Sequence, residues 1–430
     1  MIEKFFFPNR FFIPKQMFLS VTLLNKNAVI RYRKGKEKMK KSDRISFIAF
    51  TAALFMAFTG CSDEGRTDIA LTGGSGGTVK TDSQSSSHSP QGQPETGGAQ
   101  SAEAAHTSSE SGFTPTQGEY EPPMVENQQV INGNMVFSYK DHWWGVQLYA
   151  GGYNQDLYVR SVDAFAKDLE GIAQVYSMVA PTKADFYCPK GYEEYNASQL
   201  EDINYIEQHL SDRVKSVRCY DILQQHIDEY IYFRTDHHWT ANGAYYAAAK
   251  FAEAAGVPFK EMNSDNFEEK VIEGFVGSLY GSTNDSNLLN DPDAFAYYVP
   301  KNKYECYYYD MAYNLDGKYP FFIAQEPRNA FGTYMGSDKK IVRIETDCKN
   351  GRRLMVIKDS YGDVEIPFYM NSFEEIYVTD VRFFDLNAID FIKEQGITDV
   401  LFTMCTYSAA GQNCEGIERM RTGEGHLINW

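Results

Sequence analysis

The residues best suited to chemistry lie in one short stretch, 232–240, which contains Thr-Asp-His-His-Trp-Thr. The chain has only eight histidines, and two of them are adjacent here. Asp236 and His238 are two residues apart, so in an extended segment their side chains point the same way, whereas His237 points away. Asp236 could then orient His238 as a general base, as in a serine-dependent triad. The alternative is that these polar residues cap a helix and satisfy buried backbone groups.

A candidate nucleophile, Ser360, follows shortly after the apolar run 354–357. In open α/β sheets, reacting groups gather at the carboxyl ends of the strands. A serine at a strand-to-helix turn can expose its hydroxyl, and the first amides of the next helix can help to form an oxyanion hole. The alternative interpretation is an ordinary Asp-Ser helix cap. Together with Asp236 and His238, Ser360 favours a Ser-His-Asp hypothesis over coincidence.

The elements that must position these residues are those of an α/β fold. In the last third of the chain, apolar runs alternate with helical spacing, which predicts parallel strands joined by crossovers. An earlier run, 173–180, predicts another buried strand. The stretch 257–345 is rich in Tyr, Asn, Asp and Gly and is expected to be an irregular insertion. Strands are predicted at 354–357, 376–378 and 399–402, and helices at 161–171, 198–211, 240–255 and 387–395.

The charge balance restricts the class of partner. The 430 residues carry 41 basic and 58 acidic side chains, a formal net charge of −17. The basic residues are concentrated at the N-terminus, which leaves the remainder strongly acidic. Nucleic-acid binding is therefore not expected, since it requires a basic face that displaces phosphate counterions.

The N-terminal region predicts export. Lys40, Lys41 and Arg44 precede an apolar run at 45–58, and Cys61 follows Thr-Gly. This pattern is typical of a signal peptide at 39–60, and the cysteine resembles the lipid-modified residue of a bacterial lipoprotein. An ordinary signal peptide with an incidental cysteine is the alternative.

The rest of the chain divides by composition. Residues 1–38 are interpreted as upstream sequence from a misplaced start, because Met39 directly precedes the basic region. Residues 61–123 are Ser-, Gly- and Thr-rich and predict a disordered tether. Residues 124–430 predict one folded domain.

Cysteine spacing says little about cross-links. An exported protein can form disulfides, and Cys405 with Cys414 is the first pair to expect from their proximity. No Cys-x-x-Cys zinc motif occurs. Asp-His-His is also a metal-ligand pattern in phosphoesterases, but no Asp-x-Asp lies upstream in the folded region and only His426 follows. We therefore expect neither a metal nor another cofactor.

Several motifs together resemble the DHHW family of exported bacterial proteins. They are the hexapeptide 235–240 with Ala-Asn-Gly-Ala-Tyr after it, Phe-Val-Gly-Ser at 275–278, Ile-Lys-Asp-Ser-Tyr-Gly at 357–362, Pro-Phe at 367–368, and Asp-Val-Arg at 380–382. That family is similar to the SGNH-hydrolase-like alginate O-acetylation proteins. The resemblance implies a three-layer α/β/α domain with a mainly parallel sheet. It also implies Asp236 as orienter, His238 as base and Ser360 as nucleophile.

The same resemblance implies further residues around the reaction centre. Candidate oxyanion or substrate contacts are Gly277, Ser278, Asp359, Tyr361, Gly362, Asp363 and Arg382. Two positions depart from the pattern: Lys358 stands where the alginate proteins have Gly, and Asp363 stands where Asn is expected. A carboxylate at an oxyanion site would repel the developing negative charge.

The function implied is O-acetyl transfer to, or acetyl removal from, a cell-surface or secreted polysaccharide. The protein would be lipid-anchored through Cys61 on the extracytoplasmic side of the bacterial membrane, beside a membrane-bound O-acyltransferase. The alternative is a catalytically impaired glycan-binding module of a polysaccharide-modification complex, with Trp143, Trp144 and Trp239 stacking on sugar rings.

Overall fold

The computed structural model describes residues 125–338 and 341–423. The predictions for 1–38, for the signal peptide at 39–60, for Cys61 and for the tether at 61–123 lie outside the described residues. In the described ranges, no helix combines the length and the apolarity that crossing a membrane requires.

The strands of the described residues are β1 (Glu126–Ile131), β2 (Asn134–Tyr139), β3 (His142–Gln147), β4 (Gln174–Ala180), β5 (Val214–Ser216), β6 (Phe267–Phe275), β7 (Asp293–Pro300), β8 (Tyr304–Tyr309), β9 (Leu315–Lys318), β10 (Ile341–Thr346), β11 (Arg353–Lys358), β12 (Glu375–Asp380) and β13 (Asp399–Cys405). Eight of them form a mixed sheet in the order β5-β4-β13-β11-β12-β10-β8-β9. The first five strands of this order are parallel, and β10, β8 and β9 continue the sheet in antiparallel fashion.

The central strands form where continuous apolar runs were predicted, because they are covered on both faces. All seven residues of β13 are buried, and so are five of the six in β11. Such strands show no polar alternation, which is typical of the parallel part of a sheet. The four strand predictions are confirmed by β4, β11, β12 and β13.

Helices connect and flank these strands, and the four predicted helices are confirmed, with shifts of one or two residues at the ends of three of them, whereas the first begins at Gln155 instead of 161 and ends at Asp168. The helix predicted at 240–255 is observed at Ala241–Ala255 and closes on Gly256, whose φ of 64° is left-handed. The helices are α1 (Gln155–Asp168), α2 (Lys183–Tyr187), α3 (Gln199–His209), α4 (Tyr220–Gln225), α5 (Ala241–Ala255), α6 (Ser278–Thr283), α7 (Ser286–Asn290), α8 (Ile366–Tyr369), α9 (Ala388–Gln395), α10 (Thr406–Ala409) and α11 (Glu415–Thr422).

The prediction of an irregular insertion at 257–345 is wrong. In this stretch β6 pairs with β7, and β8, β9 and β10 extend the main sheet. In β8, Cys306 and Tyr308 are buried whereas the alternate positions are more exposed, as expected for a strand with one face toward solvent. The alternation is hidden in the sequence because tyrosine occupies both faces. The sheet is consequently mixed rather than mainly parallel along its whole width.

The predicted disulfide between Cys405 and Cys414 is also wrong, since all six cysteines of the described residues are free. Helix α10 and a 3₁₀ turn at Gln412–Cys414 take up the short connection between them. The Cys414 thiol instead donates to the Gly411 carbonyl at 3.1 Å.

Candidate active site

The segment that carries Asp236 and His238 is a compact loop and not the extended strand that the spacing suggested. Tyr232 and Trp239 pair across its base, and the chain bends between them. The Asp236 carboxylate accepts a hydrogen bond from the backbone N–H of His238 at 2.9 Å, a local turn typical of aspartate. This turn places Asp236 Oδ1 2.6 Å from His238 Nδ1.

Ser360 completes a continuous hydrogen-bonded chain. It begins the 3₁₀ helix Ser360–Val364 directly after β11, and its Oγ lies 2.6 Å from His238 Nε2. Asp236 and His238 are buried, whereas Ser360 is partly exposed. The structure therefore brings the three predicted residues together, and Ser360 is the most exposed of the three. This is the arrangement in which an imidazole can take a proton from a serine.

The Asp236 carboxylate is held in its charged form. Burial opposes the charge, but His238 and His237 and hydrogen bonds from the His238 ring and the Ser278 amide outweigh burial, so the pKa of Asp236 lies well below its ordinary value. The Ser278 amide donates to Oδ2 at 2.8 Å. A Cβ at Gly277 would lie 2.3 Å from the Asp236 Cβ, so only glycine permits this close approach. Gly277 and Ser278 thus support Asp236.

His237 does not point away, as the extended segment implied. Its ring lies against the His238 ring, with 3.8 Å between centroids, and its Nδ1 is 2.5 Å from Ser278 Oγ. Burial and the neighbouring His238 lower the pKa of His237 to about 3. At neutral pH His237 is therefore an uncharged, partly exposed group beside the base.

The turn around Ser360 is fixed by its neighbours. Asp359 accepts hydrogen bonds from the Tyr361 amide at 3.0 Å, the Cys405 amide at 3.0 Å and the Ser408 hydroxyl at 2.6 Å. The Gly362 amide donates to the Asp359 carbonyl at 3.1 Å. Buried between these partners, Asp359 and Gly362 shape the nucleophile turn rather than face a substrate.

Tyr361 joins that turn to the loop of Asp236 and His238. Its hydroxyl donates to the His237 carbonyl at 2.5 Å, and its own carbonyl accepts from Trp239 Nε1 at 3.0 Å. Trp239 is fully buried. The prediction that Trp239 stacks on sugar rings is therefore wrong, because its ring is part of the core.

Behind the nucleophile, two cations and three carboxylates form a cluster that we call the Lys358 cluster: Lys358, Arg382, Asp338, Asp363 and Asp380. Lys358 Nζ lies 2.7 Å from Asp363, 3.1 Å from Asp380 and 3.6 Å from Asp338. Arg382 binds Asp380 through two nitrogens at 2.8 and 2.7 Å. The two departures from the family pattern therefore face each other, and the Asp363 carboxyl is turned toward a cation.

Sequence reasoning missed three residues. Phe331, from the 3₁₀ helix Pro327–Thr333, stacks on the His238 ring with 4.0 Å between centroids. Asp293 accepts from the Thr235 amide at 2.8 Å and pairs with Arg234 at 3.1 Å. Lys183 binds the carbonyls of the same loop. Phe331 and Asp293 come from the stretch expected to be irregular, so no sequence signal pointed to them.

The Asp-His-His pattern brings three side chains of metal-ligating type close together, each offering an atom within 4.8 Å of the others. Within this group, Asp236 Oδ1 is hydrogen-bonded to His238 Nδ1, and His237 Nδ1 is hydrogen-bonded to the Ser278 hydroxyl. These hydrogen bonds occupy at least one nitrogen of each imidazole.

Comparison with known proteins places this site in context. No curated protein matches the chain. PatB1 of Bacillus cereus, solved with a sulfonyl adduct, is 18% identical, with a TM-score of 0.53 over 66% of this chain and 98% of that one, which shows a shared fold. The O-acetyltransferase domain of Pseudomonas putida AlgJ is 15% identical, with a TM-score of 0.38 over 70% of this chain and 100% of that one.

Two matches are stronger. A DHHW family protein from Eubacterium siraeum DSM 15702 has a crystal structure that is 46% identical, with a TM-score of 0.67 over 69% of this chain and 98% of that one. The family model described as "DHHW protein" matches residues 136–379, which include the loop of Asp236 and His238 and the turn of Ser360. The chain belongs to the DHHW family.

Proposed function

We propose that this protein is an exported Ser-His-Asp O-acetyltransferase or acetylesterase that acts on a cell-surface or secreted polysaccharide. The observation that carries the proposal is the unbroken chain of hydrogen bonds from Asp236 through His238 to Ser360, with 2.6 Å at each step. Such a chain serves acyl transfer because the imidazole can take a proton from the serine and return it later.

The chemistry requires no group beyond the donor and the acceptor. Ser360 Oγ attacks the acetyl carbonyl while His238 Nε2 takes its proton, and the protonated imidazole then gives that proton to the leaving oxygen. The resulting acetyl-Ser360 is attacked by a sugar hydroxyl or by water, whose proton passes to His238. The ester bond to Ser360 breaks, and the serine regains its hydrogen. Asp236 stays ionised and stabilises the imidazolium.

One oxyanion donor is available at the nucleophile turn. The amides of Tyr361 and Gly362 are bound to Asp359, whereas the Ser360 amide has no hydrogen-bond partner among the described residues. We assign the Ser360 N–H to the developing negative charge. The repulsion expected from Asp363 is opposed by the Lys358 ammonium, 2.7 Å from its carboxyl, and by burial, which raises the pKa of Asp363.

The polysaccharide, the membrane tether through Cys61 and a membrane-bound O-acyltransferase that delivers the acetyl group belong to this proposal. They are supported by the family resemblance and by the signal-like N-terminal sequence. Replacement of Cys61 by alanine should release the protein from the membrane fraction of cells. An unchanged membrane fraction would count against the anchor.

The activity is tested with a chromogenic acetyl ester and a sulfonyl fluoride, an electrophile that labels activated serines. Ser360→Ala should lower turnover by roughly a thousandfold or more and abolish labelling. Ser278→Ala removes the hydroxyl that contacts His237 but leaves the backbone amide that holds Asp236, so labelling should persist. Equal turnover by Ser360→Ala would remove this residue from the mechanism.

A glycan-binding module remains the competing function, and the same variants separate it from an enzyme. A folded wild-type protein that neither turns over the ester nor reacts with the sulfonyl fluoride would contradict the proposal. Polysaccharide binding that survives both Ser360→Ala and His238→Ala would then favour binding alone.

A further inference from the structure

Outside the triad, the most unusual buried group is the ammonium of Lys183. This residue opens α2, is separated from the end of β4 by Pro181 and Thr182, and is 1% exposed. Its Nζ lies 2.6 Å from the Phe233 carbonyl, 3.0 Å from that of Asp236 and 3.1 Å from that of Arg234. A lysine ammonium has three N–H donors, so each one is used. All three N–H donors of the side chain therefore bind carbonyl oxygens of one short loop.

That loop is the one that carries Asp236 and His238. Lys183 binds the backbone carbonyl of Asp236 itself, while the carboxylate of the same residue binds His238. On the other flank, Asp293 accepts from the Thr235 amide at 2.8 Å and hydroxyl at 2.6 Å. The loop is therefore held from two sides, and Lys183 fixes the peptide next to the carboxylate.

We propose that Lys183 is a positioning residue: by binding three carbonyls, its ammonium sets the backbone that aims Asp236 at His238, and the neutral amine does not. This inference rests on the proposed function, since it concerns the same site. A neutral amine has two N–H donors and one lone pair, so one carbonyl oxygen would face a lone pair instead of a proton. The repulsion would move the loop or open it to water.

The groups around Lys183 bring the loss of its proton close to neutral pH. Burial disfavours the ammonium and so does Arg234, whereas Asp293 on β7 and Asp236 on the loop favour it, and the pKa of Lys183 is lowered to about 7. On the β3 side, Nζ lies 6.0 Å from the centroid of the Trp144 ring. The two carboxylates act through space, because their oxygens bind other groups of the loop.

Positioning and mere stabilisation predict opposite pH trends. Above pH 7 the unfolded chain keeps the lysine proton that the folded chain loses, so the contribution of this group to stability rises with pH. Positioning requires the charged form, so activity falls with pH over the same range. A role confined to stability would leave activity constant or raise it.

The test reads the position of Asp236 independently of turnover. Proton NMR of the full chain follows the downfield signal of the His238 Nδ1–H that is hydrogen-bonded to Asp236. We expect this signal at pH 6 and its loss by pH 8 in the wild type. Lys183→Arg keeps a permanent charge and should hold the signal to pH 9, whereas Lys183→Met should lack it at every pH. The kcat/KM for an acetyl ester should fall about tenfold per pH unit above pH 7.

A signal that is unchanged from pH 6 to pH 9 in the wild type, or intact in a folded Lys183→Met protein, would overturn the proposal. If neither variant folds, the pH dependence of the wild-type signal decides alone. A signal that behaves as expected in a protein without turnover would support the positioning role and contradict the proposed acyl transfer, so the two failures are distinguishable.

Discussion

Two buried lysines contact the two segments that carry the Asp236–His238–Ser360 chain, and their partners differ. Lys183 is bound by three backbone carbonyls, whereas Lys358 faces the carboxylates of Asp363, Asp380 and Asp338. Burial opposes both charges. It lowers the pKa of Lys183 to about 7, whereas the three carboxylates raise the pKa of Lys358 above its ordinary value.

The difference shows what each kind of partner can do. Carbonyl dipoles satisfy the N–H donors of a buried ammonium but do not fully offset its lost hydration, whereas full negative charges can. Lys358 is therefore a permanent cation behind the nucleophile turn. Lys183, behind the loop of Asp236 and His238, is poised to lose its proton.

The largest expected loss of stability follows from replacing Lys358, the permanent cation. Lys358→Met leaves three buried or half-buried carboxylates with Arg382 alone, and removal of one partner from a buried ion pair costs about 3–5 kcal/mol. Chemical denaturation at pH 7 should show a loss of this size in the free energy of unfolding.

A matched surface substitution provides the control. Lys349 pairs with Glu374 at 3.6 Å with 71% of its side chain exposed, so Lys349→Met should cost only about 0–1 kcal/mol. Equal losses at the two positions would show that the Lys358 cluster contributes no more than a surface pair.

A smaller change in stability, which depends on pH, is expected when Lys183 is replaced. The folded pKa of about 7 lies below the ordinary value of 10.5, so the unfolded chain binds an additional proton between these limits. Stability relative to Lys183→Met should therefore rise with pH over this interval, by at most about 1.4 kcal/mol per unit. Denaturation of both proteins from pH 6 to pH 10 measures the difference, and a difference that is flat would place the Lys183 pKa at its ordinary value.

The same comparison shows what a sequence can reveal. The central strands were predictable because a strand buried on both faces is apolar at every position, as in β11 and β13. The grouping of Asp236, His238 and Ser360 was predictable because the Asp-x-His spacing, a serine after a buried strand and the resemblance to the DHHW family indicate the same three residues. The loop shape was not, since the hydrogen bond from the His238 amide to Asp236 replaces the expected extended backbone.

The buried lysines were harder to interpret for a physical reason. Lys183 follows a strand and an Ala-Pro-Thr segment, where an exposed side chain is the ordinary expectation, and its carbonyl partners lie 50 to 53 residues away. Lys358 was noticed only as a departure from a family pattern. Phe331 lies in a segment without apolar periodicity, so its contact with His238 arises from tertiary structure alone.

The smallest expected effect concerns the proton balance of the Lys358 cluster. Burial and Asp338 raise the pKa of Asp363 well above its ordinary value despite the nearby Lys358, whereas Lys358 and Arg382 overcome burial to lower that of Asp338. Within the cluster, Asp363 therefore gives up its proton less readily than Asp338 does. Asp363→Asn replaces the carboxyl group with a neutral amide, which keeps a carbonyl acceptor and supplies an N–H donor, so it should cost less than about 1 kcal/mol.

Asp380→Asn is the matched control, because Asp380 binds both Lys358 and Arg382 as a charged carboxylate. Asp380→Asn should lower the free energy of unfolding by more than Asp363→Asn does, on the order of 2–4 kcal/mol. Asp363→Asn should also change acetyl-ester turnover by no more than about threefold, because a raised pKa disfavours the carboxylate that would repel an oxyanion. A tenfold gain in turnover would instead show that Asp363 is charged and opposes the reaction. The two buried lysines would then still differ in their partners, but in neither case would the local charges be fully neutralised.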